Sequence, residues 1–252
     1  MRLLIVRHGD PNYEIDSLTE VGWKEAEYLS DELVSIDTAC GGFTDLYVSP
    51  HGRAKDTASF TLKKLGRQAE ECEWLKEFAA ECVRPDIGTL RGPVWDWLPA
   101  DWTCIPEFYD PIKWKDVPVF AEHGVGAEYD RVCAHFDVLL EAHGYKRYDG
   151  AKGHYYEVIK ANNDTLVFFC HFGLECVLLS HLMHCSPMVL WHHTAAAPSS
   201  ITSVYTEERR SGIASFRISQ FGDQSHLYAK GAAPSFSARF CECYSNKDER
   251  HD

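Results

Sequence analysis

Leu3-Leu4-Ile5-Val6-Arg7-His8-Gly9 is an apolar run that ends in an arginine, a histidine and a glycine. An unbroken apolar run of this length is expected of a strand buried on both faces. What it delivers at its exit suits attack on phosphorus. Imidazole is nucleophilic near neutral pH, guanidinium clamps phosphoryl oxygens, and glycine lets the backbone approach an anion closely. Further elements follow in order. Ser49-Pro50-His51-Gly52-Arg53-Ala54 ends a second expected strand, Leu75-Lys76-Glu77 follows a third, and Cys170-His171-Phe172-Gly173 ends a fourth. Ligands of open α/β sheets bind outside the carboxyl ends of the strands, and His8, Ser49 to Arg53 and His171 all fall there.

Working outward, residues 2–7 read as the first strand. Thr19 offers an N-cap to a helix running to about Val34, with Val21, Trp23, Ala26, Leu29 and Leu33 as its apolar face. Asp45 to Ser49 is the second strand, and a helix from about His51 to Leu65 is ended by Gly66. The third strand is expected within Gln68 to Glu73. From about 79 to 121 the pattern breaks down, with Trp95, Trp97, Trp102 and Trp114 interleaved with six prolines (85, 93, 99, 106, 111 and 118). Such proline density prevents long helices and inner strands, while the tryptophans demand burial. This stretch reads as an irregular cap over the carboxyl edge of the sheet. Ala127 to Ala142 is helical, Thr165 to Cys170 is the strongest strand, and a helix from Leu174 to Met183 follows. Ile201 to Thr206 and Ile213 to Ser219 are two closing strands. Alternating strands and helices argue for a mostly parallel sheet with helices on both faces. The expected organisation is one domain over 1–228 with a cap insertion at about 79–121, then a polar tail over 229–252.

Composition bounds the partners. The chain of 252 residues is 45% hydrophobic and 25% charged, ordinary for a soluble globular protein, and its formal charge is −13. That charge argues against nucleic acid, which binds through clustered Lys and Arg, and weakly against an anionic membrane. A phosphorylated ligand would need a locally positive pocket in an acidic protein. No apolar stretch is long enough to span a bilayer. Of the ten cysteines, most sit in apolar segments, as Cys133, Cys170 and Cys176 do. Cys241-Glu242-Cys243 is the one close pair, and no CxxC exists. A reducing, cytoplasmic compartment is expected.

Taken together, the motifs resemble the histidine phosphatase superfamily, the phosphoglycerate mutase-like group. The match extends to Ser-Pro-x-x-Arg-Ala-x-x-Thr-Ala over Ser49 to Ala58, to Leu18-Thr19-x-x-Gly22 and to Ser225-His226-Leu227. The resemblance implies a three-layer α/β/α sandwich and a phosphohistidine formed on His8 and cleaved by water, which splits one hard displacement into two. It makes Arg7, Arg53 and His171 the phosphate-binding residues, with His171 also in the catalytic set. It places the proton donor in Leu75-Lys76-Glu77, hence Glu77, with Glu81 as the alternative in a stretch crowded with glutamates. It implies a small phosphorylated substrate, no cofactor and no metal. One departure stands out: many members carry an asparagine six residues after the first histidine, where this chain has Glu14. The alternatives are a substitute contact from Asn12 or Tyr13, or none at that position.

Within the resemblance, three functions are open. A phosphomonoester hydrolase uses the whole constellation. A mutase of the phosphoglycerate type usually shows Leu-Asn-Glu-Arg-His-Tyr-Gly around its acid, where this chain reads Leu75-Lys76-Glu77-Phe78-Ala79-Ala80-Glu81; Lys76, Arg84 and Arg91 are its candidate extra charges. A non-catalytic phospho-ligand binder would have lost one of the key residues, and none is lost. His181 and His184, three apart on a helix, and His192-His193 suggest a metal only faintly, because no carboxylate or cysteine spacing completes a pattern.

Overall fold

Leu3 to Arg7 are all buried within strand β1 (Arg2–Arg7), which lies near the middle of an eight-stranded sheet. The computed structural model describes residues 1–235 and Ser245. In chain order the remaining strands of the sheet are β2 (Asp45–Val48), β3 (Glu70–Glu71), β4 (Tyr145–Gly150), β5 (Gly153–Val158), β6 (Thr165–Cys170), β7 (Ile201–Arg210) and β8 (Ile213–Asp223). Across the sheet they stand in the order β3-β2-β6-β1-β7-β8-β5-β4. The pairs from β3 to β1 are parallel, and those from β1 to β4 are antiparallel, so six of the eight strands run in the direction of β1.

The longer helices are α1 (Glu20–Cys40), α2 (Gly52–Leu65), α3 (Val125–Ala142), α4 (Phe172–Met183) and α5 (Pro187–His193). Because strand side chains alternate between faces, β1 and β6 divide their apolar residues between two cores. Leu4, Val6, Val167 and Phe169 meet Leu29, Leu33, Ala54 and Ala58 of α1 and α2. Leu3, Ile5, Leu166 and Phe168 meet Phe136 and Leu140 of α3 and Val177 and Leu178 of α4. The result is the expected three-layer α/β/α sandwich with a mostly parallel sheet.

Several local expectations needed correction. Helix α1 runs on to Cys40, past the expected end near Val34, because no breaker precedes Gly41, whose left-handed backbone (φ 83°) closes it. Val21 and Trp23 face solvent, and Gly22 and Glu25 take the inward positions. The cause is tertiary: α1 presses its first turn against the Gly9-Asp10 backbone, and only a residue without a side chain fits there. A Cβ on Gly22 would stand 2.2 Å from the Asp10 carbonyl oxygen. The third strand shrinks to two residues before the chain turns into a 3-10 helix, Glu73–Leu75. The β4–β5 hairpin has no counterpart in the sequence reading, since its residues are half-exposed at the sheet edge and form no apolar run.

Residues 79–121 hold a short hairpin (Glu81–Val83 with Arg91–Pro93) and single-turn helices. Trp97, Trp102 and Trp114 are buried with Phe108 and Phe120 in the core that also contains Trp191 of α5. His192 fastens this segment to α5: its Nε2 accepts the Trp97 amide (3.0 Å) and its Nδ1 donates to the Met188 carbonyl (2.8 Å). Burial holds the His192 pKa down at about 4, so the ring stays neutral and fills both roles. Among the described residues, no helix is long and apolar enough to cross a membrane. Cys241 and Cys243 lie outside the described residues.

Candidate active site

The site forms where β1, β2 and β6 end. Their carboxyl ends release Arg7-His8-Gly9, Ser49 and His171 side by side, because β6 pairs with both β1 and β2 in parallel register. The His8 amide still donates to the Cys170 carbonyl (3.0 Å), so the sheet ladder carries this histidine one residue past β1.

The His8 ring is buried, and its Nδ1 faces the Gly9 carbonyl oxygen at 2.8 Å. A carbonyl only accepts, so Nδ1 carries the proton and Nε2 keeps its lone pair. Burial first, then the charge of Arg7, holds the His8 pKa well below the usual histidine range. His8 is therefore a neutral imidazole with its nucleophilic nitrogen defined by the backbone. The loop beneath it is tied down twice: Gly9 N–H donates to Thr57 Oγ1 (2.9 Å), and Ser199 N–H donates to the His8 carbonyl (3.0 Å). Thr57 is the threonine of the Ser49–Ala58 motif, which explains its spacing. Its own hydroxyl donates to the Arg53 carbonyl (2.7 Å) and so couples the His8 loop to the first turn of α2.

His171 lies with its ring centroid 5.1 Å from that of His8 and 5.1 Å from that of His51. Its Nε2 is 2.8 Å from Ser49 Oγ, while Nδ1 is buried without a hydrogen-bond partner among the described residues. Burial and then the neighbouring His8 push its pKa well below the usual range, with Arg53, His51 and Arg7 adding to the effect. Three imidazoles and two guanidiniums thus gather in one place in a protein of net charge −13. This is a local positive potential that an arriving dianion would satisfy.

The two arginines are held differently. Arg7 reaches the Ala196 carbonyl (2.5 Å) and lies over the Phe172 ring at 5.7 Å. Arg53, in the first turn of α2, donates to Asp16 Oδ1 (2.6 Å) and lies over the Tyr13 ring at 5.4 Å. Asp16 Oδ2 in turn accepts the Gly52 amide (2.7 Å). Burial opposes ionisation of Asp16, but the Gly52 amide and Arg53 outweigh it and its pKa is lowered.

Glu77 stands at the start of α4. Its Oε1 accepts the amides of Phe78 (2.8 Å) and Leu174 (2.9 Å), and its Oε2 the amide of Gly173 (3.4 Å). Burial raises its pKa against the opposing pull of those amides and of Arg7. A carboxyl whose pKa is raised keeps its proton further towards neutrality, which suits a proton donor. Gly173 gives it room: a Cβ there would lie 2.8 Å from Glu77 Oε1 and 3.0 Å from Trp95 Nε1.

Residues 3–107 match the family model described as histidine phosphatase superfamily (branch 1). That segment carries Arg7, His8, Arg53 and Glu77. No curated protein matches the chain. Solved structures share its fold. A phosphoserine phosphatase mutant from Entamoeba histolytica, in complex with phosphoserine, is 16% identical, with a TM-score of 0.55 over 90% of this chain and 98% of that one. The mycobacterial glucosyl-3-phosphoglycerate phosphatase is 16% identical, with a TM-score of 0.52 over 88% and 99%. A protein described as mycobacterial hydrolase 1 is 18% identical, with a TM-score of 0.55 over 88% and 98%.

Set beside the histidine phosphatase pattern, the fold brings His8, Arg7, Arg53, His171 and Glu77 to one end of the sheet. Glu81 is exposed in the 81–83 strand of the hairpin, on the cleft that Glu77 also borders, and accepts none of the α4 amides. At the departure from the pattern, Glu14 is exposed and its amide donates to Asn12 Oδ1 (3.1 Å), while Tyr13 packs on Arg53. His226 lies beneath the site, its Nε2 3.4 Å from Ser199 Oγ, in the position of a support.

The sequence reading missed three residues of this site. Asp16 is a turn residue with no pattern around it. His51 lies inside the motif, where only its presence beside Arg53 marked it. Glu175 is a buried glutamate on α4 whose pKa burial raises to about 7, and nothing in a single sequence signals that a helical glutamate points inward.

Proposed function

We propose that this chain hydrolyses a small phosphomonoester through a phosphohistidine on His8, without a metal. The observation that carries the reading is the His8 ring itself: neutral, with Nδ1–H committed to the Gly9 carbonyl and Nε2 available beside Arg7, Arg53 and His171. Nε2 attacks phosphorus in line, the N–P bond forms, and the P–O bond to the leaving alcohol breaks. Glu77 supplies the proton that the departing oxygen takes. Water then attacks the phosphohistidine, Glu77 recovers a proton from it, and inorganic phosphate leaves from a regenerated His8. Arg7 and Arg53 meet the charge on the equatorial oxygens, and His171 adds to them once the phosphoryl dianion makes its protonation favourable. These groups supply the positive charge that a metal provides in other phosphoryl-transfer sites.

Hydrolysis is favoured over a mutase reaction because two of the three candidate extra cations for a bisphosphate are already engaged. Arg84 is held by Asp86 (2.6 Å) and Asp96 (2.7 Å), and Lys76 by Glu73. The space beside Glu77 is instead a cleft of about 150 Å³ walled by Phe78, Pro93 and Trp95, which fits a leaving group with an apolar face. The phosphoserine and glucosyl-3-phosphoglycerate named for the related structures support a small substrate. We read 1–228 as one domain with 79–121 as its cap and 229–252 as a tail. The eight described cysteines, all free, support a reducing, cytoplasmic setting, and the net charge of −13 disfavours nucleic acid. The test is phosphate release from p-nitrophenyl phosphate in EDTA by the native chain and by His8→Ala, with acid-labile protein-bound phosphate measured after rapid quench. Turnover that vanishes with the label in His8→Ala is expected; turnover that survives the substitution sinks the mechanism.

A further inference from the structure

At the far end of α4 from His171, side chains from separate elements converge. His184 ends the helix in a left-handed conformation (φ 51°, ψ 55°), where glycine or asparagine is usual. Asp149 and His154 come from opposite strands of the β4–β5 hairpin, where they are direct register partners. Donor atoms of Asp149, His154 and His184 all lie within 4.8 Å of one another. The helical spacing of His181 and His184 shows no carboxylate to complete a set. The fold supplies one, together with a second imidazole, and turns His181 away to Asp137 Oδ1 (2.8 Å).

We propose that Asp149, His154 and His184 form a site for a divalent transition-metal ion of the zinc class, separate from the phosphoryl site. Two imidazoles and one carboxylate are ligands such an ion accepts. Around tetrahedral zinc, ligand atoms at about 2.0–2.2 Å stand roughly 3.3–3.6 Å apart. Ligation therefore needs the wider contacts, up to 4.8 Å, to close and the 2.7 Å His154–Asp149 contact to open, each by about an ångström of side-chain movement. The rings of His154 and His184 stack at 3.3 Å with 17° between planes, so one ring must rotate for both nitrogen lone pairs to meet at a shared ion. His154 Nδ1 now lies 2.7 Å from Asp149 Oδ1, so an ion taking that place displaces the bridging proton. The other carboxylate oxygen accepts Arg147 Nε (2.5 Å), and Arg147 is itself anchored to Tyr156 Oη and the His181 carbonyl. That support aims Oδ1 at the histidines, as hydrogen-bonded ligands of metal sites are aimed.

All three residues border a cleft of about 430 Å³, which leaves the remaining coordination positions to water. Helix α4 has twelve residues, so about 18 Å separates this cluster from His171, and the ion takes no part in phosphoryl chemistry. Its effect is mechanical: it clips the edge hairpin to the end of α4.

The experiment is calorimetric titration of Zn²⁺ into the full chain after stripping with EDTA, with thermal melts in parallel. One Zn²⁺ per chain and a higher melting temperature are expected. His154→Ala and His184→Asn, the latter keeping a residue that tolerates the left-handed backbone, should each weaken binding at least tenfold and abolish the thermal shift. Asp149→Asn, on the exposed hairpin, should do the same and serves if a helix-end variant fails to fold. A chain with serine at 185, 241 and 243 should bind as the native does. Absence of Zn²⁺ binding, equal affinity in folded His154→Ala and Asp149→Asn, or loss of binding in the serine chain overturns the proposal.

Discussion

Gly173→Ala probes the acid without touching it. The added Cβ would lie 2.8 Å from Glu77 Oε1, with Trp95 Nε1 and Cδ1 at 3.0 and 3.1 Å, so it cannot escape sideways. Ordinary contact begins near 3.4 Å, and the carboxylate must therefore move by about 0.6 Å. A misplacement of about 1 Å in a catalytic group costs on the order of a hundredfold, so 0.6 Å scales to roughly 15-fold, about 1.5 kcal/mol of barrier. Folding should survive, since alanine in a helix is about 0.5–1 kcal/mol better than glycine, which offsets the weakened hydrogen bonds to Glu77. The loss should fall on substrates whose leaving group needs a proton. With glycerol phosphate kcat should drop by that factor, whereas p-nitrophenolate departs unaided and its turnover should change less than threefold. The assay is steady-state kinetics on both esters, with circular dichroism to show an intact fold. Equal losses on the two substrates, or no loss on either, would refute the placement of Glu77 as proton donor.

Other consequences are as direct. Because His8 must be neutral and Glu77 protonated, activity should rise as pH climbs through the depressed His8 pKa, well below 6.5, and fall as it passes the raised Glu77 pKa, above 4.5; a kcat/KM profile whose acid limb lies at or above 6.5 contradicts the His8 assignment, and one with no fall on the alkaline side contradicts that of Glu77. Asp16→Asn removes the charge that competes for Arg53 while keeping an oxygen to accept the Gly52 amide. Inhibition by inorganic phosphate should tighten up to about fivefold, within the ~1 kcal/mol expected of a part-exposed pair, and weaker inhibition would show Asp16 to be a positioning group instead. Burial raises the Glu175 pKa from 4.5 to about 7, so this group's contribution to stability is full below pH 4.5 and is lost as pH rises through about 7. Glu175→Gln should thus be worth about 3 kcal/mol more at pH 8 than at pH 4, and chemical denaturation at the two pH values measures it. Trp102, fully buried within the 79–121 segment, should cost about 3–5 kcal/mol when replaced by alanine; a smaller loss in a urea melt would mean that segment is not integral to the core.

Much of the chemistry was legible because it depends on spacing along the chain. A buried strand must be apolar throughout, so Leu3–Val6 and Leu166–Cys170 announce themselves, the first leading through Arg7 to His8 and the second directly to His171. The Ser49–Ala58 motif holds Arg53 and Thr57 one helical turn apart, which is why Thr57 can meet both Arg53 and the His8 loop. Periodicity misled at Val21 and Trp23. Their apolar character was real, but the neighbouring Gly22 had to lie against the Gly9-Asp10 backbone, and that turned the helix. The β4–β5 hairpin was invisible because an edge strand can be as polar as a loop.

By itself, then, the sequence determined which residues leave the central strands at their carboxyl ends, and therefore the histidine and arginine chemistry available there. Those facts are local, written in apolar runs and short spacings. Only the tertiary structure decided that Glu77 and not Glu81 caps α4 beside the site, that Asp16 closes on Arg53 from 37 residues away, and that Gly9 leaves Nε2 of His8 as the free nitrogen. It alone set Asp149 and His154 against His184. Each of these depends on chain segments distant in sequence meeting at a given depth and angle, and burial then sets the protonation state.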